Sequence, residues 1–255
     1  MNIQTEIISF IKYLSLESGK IIKEYFRTPI DVDTKKDSSP VTIADKRTEE
    51  FLRYEILKKF PEHGIIGEEL GEVNSEAEYK WVLDPIDGTK SFICGTPLFG
   101  TLIALLKNGE PIIGAINLPI LDELLIGDNT QTTLNDTPVK VRECSDISEA
   151  VLLTTDIKSY GKYFPRAGLD NLIYGVKMFR SWGDCYGYYL LATGYADIMI
   201  DPVMSVWDSM ALIPVIRGAG GTITDINGND AVKGTSIAAA VPGTHSEVIK
   251  ILSED

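Results

Sequence analysis

The sequence predicts an α/β protein, α+β in its first half and alternating α/β in its second. Three observations carry this. Apolar residues recur at helical spacing over residues 3 to 26 and again over 42 to 60. From 98 to 118 the period becomes that of strands, with Asn108-Gly109 as a strong hairpin turn between two apolar runs. After about residue 142, strand-like and helix-like segments take turns, the pattern of α/β architecture.

The first helix buries Ile3, Ile7, Phe10, Leu14, Ile21 and Tyr25, and Thr28-Pro29 ends it. The polar stretch DTKKDSSPVT reads as a loop. A second helix from Thr42 to Phe60 turns Phe51, Leu52, Ile56 and Leu57 inward, and Pro61 stops it. LFGTLIALL and PIIGAINL are hairpin strands, and LDELLIG and TTLNDTPVKV add antiparallel pieces. Then AVLLTT reads as a strand, DCYGYYLLAT as a helix closed by Gly194, and ADIMI as a strand. WDSMALIPVI is a helix, GTITDI and SIAAAV are strands, and THSEVIKILS is the last helix, opened by a Thr244–Glu247 capping box. The change of pattern divides the chain into lobes at 1–142 and 143–255 with a cleft between them.

The 255 residues suit one large domain or two smaller ones, and 44% hydrophobic content is enough for a core. No apolar run reaches transmembrane length and the N-terminus lacks a signal-peptide pattern, so a cytoplasmic protein is expected. A net charge of −13 argues against nucleic acid and is compatible with binding cations. Cys94, Cys144 and Cys185 have no paired spacing, which fits a reducing compartment. With only His63 and His245, a Ser-His-Asp triad or a histidine-rich zinc site has almost no material. An enzyme built from this sequence must work through carboxylates and a metal.

Four acidic places stand out, each with an ordinary structural reading beside the functional one. Asp45 closes a capping box with Thr42. Asp208 sits where a helix N-terminus favours an acid. Glu68-Glu69 could be a solvated loop, and Asp87-Gly88 a turn. The stretch WVLDPIDGTKSF at 81–92 tilts the balance. A proline fixes the backbone between Asp84 and Asp87, and Gly88 permits close approach. Two carboxylates so placed repel unless a cation neutralises them. Oxygen-only ligation selects a hard cation, Mg²⁺ before zinc.

Three motifs, GEE at 67–69, WVLDPIDGTKSF at 81–92 and WDSMALIPVIRGAGG at 207–221, make the chain resemble the inositol monophosphatase family over nearly its whole length. One departure is Gly218, where the family usually carries an acid. Within the family the chain looks most like the histidinol-phosphatase branch, because Gly183-Asp184-Cys185 replaces a Gly-Thr-Ala stretch. The resemblance implies a layered α/β/α/β/α sandwich, a lithium-sensitive Mg²⁺-dependent phosphatase and a homodimer. It implies two or three Mg²⁺ ions: one on Glu68, Asp84 and the carbonyl of Ile86, a second on Asp84, Asp87 and Asp208. Gly88 and Thr89 match phosphate-binding groups, Thr89 lying also near the attacking water with Asp45 as its partner. Asp184 and Asp201 match residues facing the rest of the substrate. The implied reaction is hydrolysis of L-histidinol phosphate, with inositol or another polyol phosphate as the alternative substrate. A metal-binding scaffold without catalysis is the rival from another class.

Overall fold

The computed structural model describes residues 3–35, 40–164 and 166–254. Helix α1 (Ile3–Tyr25) is followed by a small hairpin of β1 (Val32–Thr34) and β2 (Pro40–Thr42), paired with Val32 opposite Thr42. The segment expected to be a loop therefore carries strands at its ends, while residues 36–39 of it lie outside the described residues. Helix α2 (Ile43–Lys59) begins and ends where its sequence signals place it, with the Thr42–Asp45 capping box formed.

Next come β3 (Gly64–Gly67), β4 (Gly71–Val73), β5 (Tyr79–Asp87), the short helix α3 (Thr89–Ile93), β6 (Gly100–Lys107) and β7 (Glu110–Leu118). Asn108 and Gly109 both adopt positive φ, 51° and 86°, as the tight turn between β6 and β7 requires. With β8 (Glu123–Gly127), β9 (Thr132–Leu134) and β10 (Thr137–Val139), these strands form one sheet in the order β10-β9-β8-β7-β6-β5-β3-β4. The second half supplies β11 (Val151–Thr154), α4 (Ile157–Tyr163), α5 (Arg166–Gly175), β12 (Met178–Arg180), α6 (Asp184–Ala192), β13 (Ile198–Asp201), α7 (Val206–Ser209), α8 (Leu212–Gly218), β14 (Thr222–Thr224), β15 (Ile237–Ala240) and α9 (Pro242–Leu252). Its sheet runs β12-β11-β13-β15-β14, parallel across the first three strands and antiparallel beyond them.

Burial sorts these elements into five layers. Ile7, Phe10, Ile11 and Leu14 of α1, with Leu52 and Ile56 of α2, pack on Trp81, Leu83, Ile103 and Leu105 of the large sheet. The opposite face, including Val82, Leu102 and Ala104, packs on α6 and α8, which also cover Leu153, Met199 and Ala239 of the second sheet. The far face of that sheet, Leu152, Ile198 and Ile200, is closed by Tyr160, Leu169, Leu172, Val248 and Leu252. The layered α/β/α/β/α arrangement expected from the resemblance is the one observed. Among the described residues no helix is long and apolar enough to cross a membrane.

Some local expectations need correction. Helix α1 stops at Tyr25, because Arg27 turns into the left-handed region at φ 59°, and it buries Ile22 where Ile21 was expected. The anticipated helix over WDSMALIPVI is two helices. Pro214 has no N–H and its ring excludes a helical carbonyl at Met210, so the chain breaks and restarts at Leu212. Helix α9 starts at Pro242, whose fixed φ suits the first helical position, so Thr244 lies inside it. The Thr244 hydroxyl donates back to Val241 O, and the Thr244–Glu247 capping box does not form.

Candidate active site

Strand β5 delivers two acids to one side by breaking its own period. In a regular strand, residues three apart point to opposite faces. Here Asp84 pairs with Leu102 but Asp87 pairs with Gly100, so β5 holds one residue more than β6 over this interval. That bulge sits at Pro85-Ile86, and the buried hydroxyl of Thr101 secures it by donating to Pro85 O at 2.9 Å. Asp208, in the first turn of α7, completes a trio: carboxylate oxygens of Asp84, Asp87 and Asp208 all lie within 4.8 Å of one another.

The trio is strained electrostatically. Burial pushes the Asp84 carboxyl well above the usual carboxylate range, and Glu68, Asp87 and Asp208 add to it. Burial does the same to Asp87, reinforced by Asp184 and Asp208 and opposed by the Cys185 N–H that donates to its carboxylate. Asp208 is raised to about 7 by burial, although Ser205 N–H donates to its Oδ2 at 2.7 Å. Asp84 Oδ1 is buried with no hydrogen-bond partner. A cation supplies what this arrangement lacks: charge to offset the repulsion and a partner for the orphaned oxygen. The site fits a hard metal ion.

Glu68 stands beside the trio, its carboxylate against Asp84. Lys35 Nζ lies 2.6 Å from Glu68 Oε1 and 2.6 Å from Glu69 Oε1. Burial works against this ammonium, but the two glutamates hold its pKa above the ordinary lysine range. Burial raises Glu69 to about 7 despite Lys35.

Gly88 turns the chain at φ 88°, and Thr89 opens α3 behind it. Thr89 Oγ1 lies 3.0 Å from Ile86 O and 3.4 Å from Asp45 Oδ1. The fully buried Asp45 uses its other oxygen for the cap, accepting from Thr42 N at 2.8 Å and Thr42 Oγ1 at 2.6 Å. Burial raises its pKa, opposed by those Thr42 bonds. The capping and Thr89-facing readings of Asp45 thus coexist, one on each oxygen.

Asp184 closes over Gly88: its Oδ2 would lie 3.0 Å from a Cβ added there. It adopts φ 51°, a left-handed conformation that aspartate tolerates better than most side chains. Burial raises it to about 6, with Lys90 and Ser91 working against the shift. Asp201 is set deeper, at 4% exposure, and both its oxygens are engaged. Oδ1 accepts from Thr155 N at 3.2 Å and Oδ2 from Tyr188 Oη at 3.0 Å. Burial and the Asp184 charge lift it to about 7, against those bonds. Thr155 serves both acids, because its Oγ1 also accepts from Asp184 N at 2.8 Å.

Sequence reasoning passed over Lys35, Thr155 and Tyr188. Lys35 lies in a polar stretch with no motif, and its partners are more than thirty residues away. Thr155 directly follows the apolar strand β11, where a threonine carries no motif. The fold makes them neighbours of the acids.

Residues 3–254 match the sequence profile of the inositol monophosphatase family. The chain is 48% identical over 214 residues to the chloroplastic bifunctional phosphatase IMPL2 of Arabidopsis thaliana, covering 83% of this chain and 62% of that protein. It therefore spans less than two thirds of that relative's length. It is 39% identical over 222 residues to the histidinol-phosphatase of Chlorobaculum parvum, covering 86% of this chain and 85% of that one. A solved inositol monophosphatase from Zymomonas mobilis superposes with a TM-score of 0.89 at 32% identity, over all of both chains. The acid-lined end of β5, the five-layer fold and these likenesses agree: the chain is a phosphatase of the inositol monophosphatase family.

Proposed function

We propose that this phosphatase is Mg²⁺-dependent and hydrolyses L-histidinol phosphate to L-histidinol and phosphate. The observation that carries the proposal is the position of Asp184, a carboxylate closing over Gly88 beside the acidic trio. The phosphate ester of an amino alcohol brings an ammonium and an imidazole to that place, and a carboxylate matches them where a neutral side chain would not. Likeness to a protein named histidinol-phosphatase supports the same reading.

In this reading Glu68, Asp84 and Ile86 O would hold one ion, and Asp84, Asp87 and Asp208 would hold another. Magnesium bound there would supply charge to offset the substrate dianion and make the attacking water easier to deprotonate. Gly88 and Thr89 orient the phosphate at the first turn of α3, where main-chain N–H groups lack helical partners. Thr89 Oγ1 accepts a proton from the attacking water while passing its own to Asp45 Oδ1, which burial has made more basic. The water oxygen bonds to phosphorus, the ester P–O bond breaks, and a proton returns to the departing alcohol. Asp184 faces the alcohol, and Asp201, through Thr155, keeps Asp184 in place. The family's lithium sensitivity, a homodimer and a cytoplasmic setting belong to the same proposal.

A second substrate, inositol or another polyol phosphate, is favoured by likeness to the Zymomonas mobilis inositol monophosphatase. The test is Mg²⁺-dependent phosphate release from L-histidinol phosphate beside inositol 1-phosphate. A higher kcat/KM on the first supports the proposal, and a higher value on the second transfers it to polyol phosphates. No release from either leaves the metal-binding scaffold.

A further inference from the structure

Four consecutive residues of the acidic loop are anchored through their main chain, and one buried side chain anchors the middle two. Glu68 N–H donates to Leu83 O at 3.2 Å. Glu69 N–H donates to Glu49 Oε2 at 2.7 Å, and Leu70 N–H to Glu49 Oε1 at 3.1 Å. Gly71 O accepts from Arg53 Nη2, while Arg53 Nε donates to Glu49 Oε1 at 2.7 Å. The Glu49 side chain is fully buried. It also fills the space beside Gly67, where an added Cβ would lie 2.0 Å from Glu49 Oε1. Glycine precedes Glu68 because the carboxylate of Glu49 occupies the room a side chain would need.

A buried carboxylate is tolerated only when its charge and lone pairs are answered. Glu49 is answered by one guanidinium and two main-chain N–H groups, and those groups belong to the residues just after Glu68. Glu49 also sits one helical turn beyond Asp45, so both acids leave the same face of α2. One reaches Thr89 and the other reaches the loop.

We propose that Glu49 is a positioning residue for metal binding: by holding Glu69 and Leu70 it fixes the Glu68 carboxylate against Asp84. It touches neither metal nor substrate and acts through Glu68, so the proposal rests on reading Glu68 as a metal ligand.

The test is calorimetric titration of the metal-free protein with Mg²⁺, paired with the Mg²⁺ dependence of phosphate release. Glu49→Ala and Gly67→Ala, which remove the brace and displace it respectively, should weaken Mg²⁺ binding about 10- to 100-fold, the usual loss when a ligand's own support is removed. Glu49→Gln keeps one acceptor oxygen and should recover part of the affinity. At saturating Mg²⁺ kcat should stay within about threefold, since the interaction is ground-state positioning that excess metal restores. Exchange of the Glu69 and Leu70 amides should quicken while that of β6 amides is unchanged. If Glu49→Ala does not fold, Glu49→Gln and Gly67→Ala decide the matter. Wild-type Mg²⁺ affinity in both, with Glu68→Gln weakened, overturns the role of Glu49 and leaves Glu68 a ligand. Wild-type affinity in Glu68→Gln overturns the ligand assignment itself, and the role of Glu49 with it.

Discussion

Asp45 and Thr89, 44 positions apart in the chain, meet with Thr89 Oγ1 3.4 Å from Asp45 Oδ1. The same carboxylate caps α2 through its other oxygen. One side chain therefore ties the start of a helix to the group nearest the proposed attacking water, and the two duties can be separated by substitution.

Asn caps a helix about as well as Asp. In Asp45→Asn the amide oxygen can keep the Thr42 bonds while the NH₂ turns to Thr89, which still has Ile86 O as an acceptor. The melting temperature should be nearly unchanged and kcat should fall about 10²- to 10⁴-fold, the range for losing a general base. Thr89→Val should lower kcat with little change in Mg²⁺ affinity. Full activity in Asp45→Asn would leave Asp45 as a helix cap alone.

Asp84→Asn should nearly abolish turnover and, without metal, should stabilise the fold. It removes charge from a buried oxygen cluster whose members repel one another. The metal-free melting temperature should rise by about 2–4 °C for each kcal/mol of repulsion relieved, measured by calorimetry. A drop in that temperature would mean that the Asp84 charge is satisfied within the protein.

Stability of the metal-free protein should fall as pH rises. Burial holds Asp208 and Asp201 at about 7 and Asp184 at about 6, whereas an unfolded aspartate titrates near ~3.9. With folded values above unfolded ones, the folded state binds more protons between about pH 4 and 7, and its advantage is lost across that window. Mg²⁺ should oppose the trend, raising the melting temperature more at about pH 8 than at about pH 6, because protons compete for the same oxygens. Thermal melts with and without Mg²⁺ check both signs. Metal-free stability that climbs with pH would show these acids to be paired in solution.

Asp184→Asn probes substrate choice. Asparagine tolerates the left-handed backbone at this position, so the loop should survive. A charge-assisted hydrogen bond is worth about 1.5–3 kcal/mol, so kcat/KM on L-histidinol phosphate should fall roughly 10- to 150-fold. The phosphate ester of a polyol, whose alcohol part carries no charge, should be spared. Equal losses on both substrates would assign Asp184 to the phosphate end of the site.

Much of this site can be read from the sequence because it is locally encoded. Asp84, Pro85 and Asp87 follow an apolar run directly, and Thr42–Asp45 has the spacing of a capping box, which forms here. What escapes is whatever depends on pairing between distant segments. The bulge at Pro85-Ile86 exists only against β6. Lys35, just after β1, meets glutamates more than thirty residues on, and Thr155, just after β11, meets Asp184 at the start of α6. Strand β12, three residues hydrogen-bonded to β11, is too short to show a period. Helices α4 and α5 have no counterpart in the sequence reading although α5 carries buried Leu169 and Leu172: Gly161, Pro165, Gly168 and Gly175 interrupt the apolar pattern around them.

The bulge in β5 makes chain length at this point as consequential as residue identity. Inserting one residue into β6 between Gly100 and Leu102 would give the extra residue of β5 a partner, restore regular pairing and swing the Asp87 carboxylate through the sheet, toward the layer that holds Trp81 and Leu83. Deleting Pro85 or Ile86 would instead absorb the bulge and leave Asp87 opposite Gly100, on the same face as Asp84. A scan of single-residue insertions along β6 should therefore find a narrow interval, from Gly100 to Leu102, in which changes that leave every acid in place nonetheless silence the protein.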